Sequence, residues 1–376
     1  MRRLAVEPRP GWREAVERLG LVWHSLADRP YWTEGACYAV SAAEVGEIEA
    51  AAAELYRLYL EAGQYVLDKG LLGRFGIPDW AAPLVRKTWN DEPPALNYGR
   101  FDLGYDGRSP PKLFEFNCDT PTSLLEASII QWDWKQAVFP AADQFNSLHE
   151  KLVAKWRELK PLLPEPLVYF SHAEDPSGED ALTVAYLRDT ANEAGLQTAS
   201  ILISDIGWNG SDFVDLDLLP IRTIYKLYPW EWLVSEPFGR RLTDAGYGTL
   251  WMEPIWKMIW SNKAMLPILW ELFPQHPNLL PTFFTPRGDS YVRKPLLSRE
   301  GANVTIVRDG QVTVETGGDY GEEGYVFQKV FELPQFDGRR PVIGAWIVDG
   351  APAGMGIREG GLVTDNTAAF APHVID

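Results

Sequence analysis

Two strand-like stretches joined by a turn constrain this chain more than any other feature. LNYGRFDLGY starts at Leu96, DGRSPP makes a turn, and KLFEFN returns over residues 112–117. Side chains alternate faces along a strand. Arg100 and Asp102 therefore share one face of the first stretch. Glu115 and Asn117, with Leu113, share one face of the second. Antiparallel pairing across the turn would gather the polar groups on one sheet surface. Asp102, Glu115 and Asn117 offer hard oxygen donors, the set that suits Mg²⁺, which keeps waters and shares its coordination with substrate phosphates. Arg100 beside them could grip phosphoryl oxygens with both arms. The same spacing also fits a solvated face of a half-exposed sheet.

The remaining elements alternate in type. Ser41 and Glu44 form a capping box at the head of a helix that runs to Gly70. Its apolar stripe is Val45, Ile48, Ala52, Leu55, Tyr59, Ala62 and Val66. A second helix is predicted over 143–159, with Phe145, Leu148, Leu152 and Trp156 on one side. LVYFSH (167–172) reads as a strand, AEDPSGED as a loop, ALTVAYLRDTANEAG as a helix and LQTASILI as the next strand. Such a unit crosses over right-handed and binds ligands at the carboxyl ends of its strands. The loop carries Glu179 and Asp180 there, although an acidic pair also suits a helix N-terminus. IRTIYK (221–226) looks like a buried strand and SNKAMLPILWELF like a helix. SYVRKP, GYVFQKVF and PVIGAWIVDG read as strands, and VTIVRDGQVTVET as a hairpin.

Late in the chain, Lys294 ends a strand and precedes the loop LLSREGAN, while Lys263 opens an amphipathic segment. Together with a glycine-containing loop they suggest a clamp for nucleotide phosphates. There is no GxxxxGK[ST] motif, so this is not a P-loop. Arg358 lies in MGIREGG, and Asn366 lies in TDNTAAF. His24, His149, His172, His276 and His373 lack metal-ligand spacing. There is no GxSxG elbow. Cys37 and Cys118 imply no disulfide scaffold, and Cys118 reads as a buried thiol.

The net charge of −17 has no basic cluster to offset it, which argues against nucleic-acid binding. It serves solubility and mildly favours a cationic partner. MRRLAVEPRPGW has no apolar signal region, and no run approaches the roughly 18 apolar residues of a membrane helix. The expectation is a soluble cytoplasmic protein with no membrane partner.

Taken in order, RFD, FEFNCDTPTSLLEAS, EPIWKMIWSNKAMLPILWELFPQHPNLL, YVRKPLLSREGANV and VFQKVFELP resemble the synthetase domain of the glutathionylspermidine synthase family, a branch of the ATP-grasp ligases. The resemblance runs from about residue 10 to the C-terminus. It implies a mixed α+β and α/β fold, a permuted ATP-grasp with a pre-ATP-grasp α/β portion. The implied parts are a helical part over 1–95, metal-bearing strands and the α/β part over 96–250, and a nucleotide clamp over 251–376 with a lid loop at 296–303. Implied Mg²⁺ ligands are Asp102, Glu115 and Asn117. Implied ATP contacts are Lys263, Lys294 and Gln328. Arg299 would belong to the lid, with Arg100 and Arg358 near the transferred phosphoryl group. Thr120 and Thr122 would face a thiol tripeptide, which Glu179 and Asp180 help to hold. The family's N-terminal cysteine amidase domain has no counterpart in these residues, and CDTPTS replaces a serine-containing loop.

The expected activity is ATP-dependent amide formation from a small-molecule or peptide acid and an amine such as a polyamine, through an acyl phosphate. Two other classes are a non-catalytic nucleotide- or peptide-binding relative and a tryptophan-rich carbohydrate protein. The latter would need paired carboxylates about 5–10 Å apart over a cleft.

Overall fold

Antiparallel pairing of Gly99–Gly104 with Lys112–Asn117 forms one edge of a five-stranded sheet, in the order Ala369–Ala371, Ala351–Gly360, Arg340–Val348, Gly99–Gly104, Lys112–Asn117. The computed structural model describes residues 1–376 apart from 27, 28, 246, 247, 366 and the side chain of 26. Asn366 thus lies outside the described residues. Register sets Arg100 opposite Asn117, Phe101 opposite Phe116 and Asp102 opposite Glu115. The apolar face packs on the long helix Ala42–Asp68: the Phe101 and Phe116 rings stack at 3.9 Å and the Tyr59 ring meets Phe116 at 5.0 Å. Burying aromatic rings this way fixes which face of the hairpin is left to the polar residues.

Leu113 departs from the period-two reading. The register shifts between Asp102 and Leu103, so Leu113 pairs with Leu103 and both join the buried core. Phe114 is the extra residue of this bulge, and it faces the cleft beside Glu115. A one-residue bulge reverses the sidedness of everything beyond it.

A second five-stranded antiparallel sheet has the order Thr282–Phe283, Tyr325–Gln328, Tyr291–Pro295, Thr305–Arg308, Gln311–Glu315. Asp309 and Gly310, both at positive φ, turn its predicted hairpin. A four-stranded parallel sheet has the order Leu250–Met252, Thr223–Leu227, Leu167–His172, Gln197–Leu202, with helix Glu179–Glu193 as a crossover. Arg2–Ala5, Ala36–Val40 and His373–Ile375 form a three-stranded sheet that joins the two ends of the chain.

Several predicted boundaries move for local reasons. The capping box at Ser41 forms as read, with Glu44 N–H on Ser41 Oγ and Ser41 N–H on Glu44 Oε2. The second helix is Leu148–Leu159, because Asp143 and Asn146 bridge to Ile375 and Gly354 instead. SNKAMLPILWELF is broken: helix Lys257–Ser261 ends, Asn262 turns extended, and its Oδ1 accepts the Ala264 N–H at 2.8 Å before helix Met265–Leu272. Glu179 and Asp180 are the first two residues of a helix rather than part of the preceding loop. Cys37 and Cys118 are both buried free thiols. Among the described residues, no helix is long and apolar enough to cross a membrane.

Candidate active site

The polar face of the hairpin opens into a cleft of about 930 Å³ between the two five-stranded sheets. Asp102, Glu115, Lys263, Lys294, Gln328 and Arg358 all line it. Arg100 Nε donates to Asp102 Oδ1 at 2.7 Å, and Arg358 Nη2 donates to Asp102 Oδ2 at 2.7 Å. Asn117 Nδ2 donates to Asp102 Oδ2 at 3.3 Å. Lys263 Nζ lies 3.1 Å from Glu115 Oε2 and donates to the Ser298 carbonyl at 2.6 Å. The helix break at Asn262 is what releases Lys263 toward the cleft. Lys294 Nζ donates to Gln328 Oε1 at 2.8 Å, and Gln328 Nε2 to the Leu113 carbonyl at 3.1 Å.

Burial alone would raise the Glu115 carboxyl, but Lys263, Lys294 and Arg358 outweigh it and hold it down to about 2. Burial lowers Lys294 to about 8, with Glu115 resisting and Lys263 assisting. Arg100, Arg358, Lys263 and Lys294 thus outnumber the carboxylates they surround. That excess of positive charge suits a polyphosphate. Asp102, Glu115 and Asn117 also suit a Mg²⁺ that completes its shell with phosphate oxygens and waters. Among the described residues, no three His, Cys, Asp or Glu side chains form a cage that would hold a metal unaided.

Past Gln328, residues Lys329 to Leu333 line the cleft opposite Val292, Ile306 and Val342. Apolar side chains share this part of the cleft with Arg308, Lys329, Glu332 and Arg340, beside a run of extended backbone.

Ser298 and Gly301 of the loop over 296–303 line the cleft. Glu300, Gly301 and Asn303 all have positive φ, and a Cβ on Gly301 would meet Val363 Cγ1 at 2.7 Å. Only glycine permits this packing at this position. Arg299 reaches beyond the loop: Nη1 donates to Thr120 Oγ1 at 2.5 Å and Nη2 to Glu231 Oε1 at 2.8 Å. The Thr122 carbonyl accepts from Arg100 Nη1. Glu179 donates its backbone N–H to Ser177 Oγ at 3.2 Å. Asp102, Glu115, Lys263, Lys294, Gln328 and Arg358 thus share the cleft, Arg100 and Asn117 bond to Asp102 beside it, Arg299 bonds to Thr120, and Asp180 sits apart, its N–H on Asp175 Oδ2.

Several neighbours escaped the sequence reading. Asp119, only 1% exposed, takes Lys226 Nζ at 2.8 Å and the Trp230 N–H at 2.7 Å, and so anchors the loop. A lysine at the carboxyl end of a buried parallel strand was the available signal for Lys226. Glu231, the partner of Arg299, carried none.

A family model described as "Glutathionylspermidine synthase preATP-grasp" matches residues 3–376. The chain belongs to the glutathionylspermidine synthase family. It is 39% identical to a Haemophilus influenzae protein named "Putative acid--amine ligase", covering 97% of this chain and 97% of that one. It is 30% identical to the trypanothione synthetase of Crithidia fasciculata over 85% of this chain, yet spans only 53% of that protein. The structure of a glutathione synthetase-like effector from Globodera pallida shares the fold, with a TM-score of 0.55 at 11% identity, over 90% of this chain and 89% of that one. This family member is thus a mixed α/β protein of several sheets, similar to glutathione synthetase-like structures.

Proposed function

We propose that this protein is an ATP-dependent carboxylate–amine ligase of the glutathionylspermidine synthase type, built as a permuted ATP-grasp with the metal-bearing hairpin ahead of the nucleotide clamp. One observation carries the reading: Asp102 and Glu115 stand opposite each other on a sheet face whose cations are Lys263, Lys294, Arg100 and Arg358.

ATP lies with its base along Lys329 to Leu333 and its phosphates toward Lys263 and Lys294. A Mg²⁺ on Asp102, Glu115 and Asn117 would neutralise charge on the phosphoryl oxygens. The substrate carboxylate attacks the γ-phosphorus, giving an acyl phosphate and ADP. The uncharged amine nitrogen then attacks the acyl carbon, the C–O bond breaks, phosphate leaves with the electron pair, and the nitrogen's proton passes to the departing phosphate. Arg100 and Arg358 stabilise the charge that develops on the transferred group. Arg299, bonded to Thr120 and Glu231, locks the 296–303 loop down so that water does not reach the acyl phosphate. Thr120, Thr122, Glu179 and Asp180 border the acid and the amine. A thiol tripeptide and a polyamine are the leading substrates, as the names of the relatives suggest.

The test is ADP release by the purified chain with ATP and Mg²⁺ against a panel of peptide acids, glutathione included, and of amines, spermidine included. Mass spectrometry reads the product. ADP, phosphate and amide should appear together only when both partners are present. ATP binding with no turnover across the panel would overturn the ligase reading in favour of a nucleotide-binding protein.

A further inference from the structure

Beneath the contact that Arg299 makes, three segments of the chain meet at one buried ion pair. Lys226 lies one residue from the end of strand Thr223–Leu227, and its side chain is sealed from solvent. Its ammonium donates to Asp119 Oδ1 at 2.8 Å and to the Tyr228 carbonyl at 2.8 Å, and stands 4.3 Å from the centroid of the Trp230 ring. The other carboxylate oxygen, Asp119 Oδ2, accepts the Trp230 N–H at 2.7 Å. One carboxylate thereby ties the loop after strand Lys112–Asn117 to the first residue of helix Trp230–Ser235. Burial pulls the Lys226 ammonium toward a lower pKa, and Asp119 resists. Each ion here depends on the other, because removing one leaves its partner buried and uncompensated.

The residues that follow this pair's contacts are the two that hold Arg299. Thr120 follows Asp119 and accepts from Arg299 Nη1 at 2.5 Å; Glu231 follows Trp230 and accepts from Nη2 at 2.8 Å. The Trp232 ring lies 5.7 Å from the same guanidinium. Asp119 and Trp230 are 111 residues apart in the chain, yet one guanidinium fork spans their neighbours. A planar fork of fixed geometry engages both acceptors only if their spacing is held. None of Asp119, Lys226 and Trp230 lines the cleft. What the pair does to the cleft therefore passes through the residues beside it.

We propose that Asp119 and Lys226 are positioning residues: as one buried pair they hold Thr120 and Glu231 at the spacing that seats Arg299, and so decide how the acyl phosphate divides between amine and water. The seating rests on the hydrogen bonds, whereas the division rests on the ligase reading. With Arg299 seated, the 296–303 loop keeps water out and the amine takes the acyl carbon. With Arg299 loose, a water oxygen attacks the same carbon. The C–O bond to phosphate then breaks, phosphate leaves with the electron pair, and a proton of the water passes to it. The acid is regenerated, and one ATP is consumed without an amide.

The experiment puts two readouts on the full chain. Limited trypsin digestion with mass spectrometry reads cleavage after Arg299, which requires that side chain to leave Thr120 and Glu231 and needs no substrate. It is read relative to cleavage after Arg86, on helix Ala82–Asp91, which reports opening of the fold. ADP and amide measured together read the division. The variants are Lys226→Met and the double variant Asp119→Asn with Lys226→Met. The double variant strands no ion and keeps an acceptor for the Trp230 N–H, so it decides alone if the single variant fails to fold. In both, relative cleavage after Arg299 should rise roughly tenfold or more, as the population with the loop open grows. ADP released per amide should rise about threefold or more, as water reaches the acyl phosphate. Glu231→Gln weakens the grip on Arg299 directly, so adding Lys226→Met to it should raise cleavage by less than about twofold, because both act through one contact. Unchanged cleavage after Arg299 in the double variant, a rise shared equally by Arg86, or a full additional increase on top of Glu231→Gln overturns the positioning role. Faster cleavage after Arg299 with an unchanged ratio of ADP to amide overturns the division. A wild-type chain that releases no ADP with any acid and amine sinks the ligase reading instead, and the cleavage readout still decides the seating.

Discussion

Lys294 offers a sharp handle on the proposed nucleotide site. It is the clamp residue whose charge is least secure: burial lowers it to about 8, even with Glu115 close by. A triphosphate laid against it adds negative charge beside the ammonium, so the bound state holds this lysine charged. The apparent dissociation constant for ATP with Mg²⁺ should then scale as 1 + 10^(pH − pKa). With a pKa near 8 this factor is about 1.1 at pH 7 and about 11 at pH 9, a weakening of roughly tenfold, or about 1.4 kcal/mol. The sign is that of a base charged below its free-state pKa and discharged above it, so affinity is lost as the pH rises. Phosphate itself adds little, because its second ionisation, near pH 6, is largely complete over this range. Titration calorimetry at pH 7 and pH 9 reads the affinities, and a second buffer reads proton uptake, expected to approach one at pH 9. Lys294→Arg stays charged throughout and should flatten the profile, whereas Lys294→Met should be flat and weak. A wild-type affinity that does not change with pH, with no proton uptake at pH 9, would refute the placement of Lys294 against the phosphates.

Other perturbations probe separate parts of the molecule. Glu115→Ala should abolish ADP release while the unfolding transition by circular dichroism persists; an unchanged rate removes Glu115 from the metal site. Gly301→Val places a branched side chain where a Cβ already lies 2.7 Å from Val363 Cγ1, so coupled turnover should fall while ADP release without amine rises, read by comparing ADP with amide formed. Lys257→Met strands Glu253, which is 0% exposed and 3.1 Å from the Lys257 ammonium; urea unfolding should show a loss of about 3–5 kcal/mol. Equal stability would mean that Glu253 is already neutral.

The cleft's side chains were legible because strand periodicity is a local property. Arg100, Asp102, Glu115 and Asn117 needed only the alternation of the backbone and one turn. Leu113 and Phe114 were misplaced because a bulge is set by packing across the sheet, here Leu113 into the core with Leu103 and Phe114 toward Phe331. The break at Asn262 was missed for a related reason. SNKAMLPILWELF is apolar enough to read as one helix, while the asparagine's bond to the Ala264 N–H ends one and caps the next. Partners far apart in the chain, such as Asp119 with Lys226 and Arg299 with Glu231, left almost no local trace. The sheet that joins the hairpin to Arg340–Val348 likewise depends on pairing across more than half the chain.

How a chain of net charge −17 could recruit ATP follows from where its charges sit. At the separations within the cleft, near 3 Å, local cations dominate, and a surface carboxylate beyond a Debye length of about 8–10 Å is largely screened. Arg100 stands at the border. On one side it meets Asp102 among the cations of the cleft, and on the other it feels the buried carboxyl of Glu126. On the proposed ligase reading, a triphosphate would be drawn to the side of Arg100 that faces Asp102, and a cationic amine to the side that faces Glu126. On that reading, this polarity would keep the two oppositely charged substrates from neutralising each other in the same pocket.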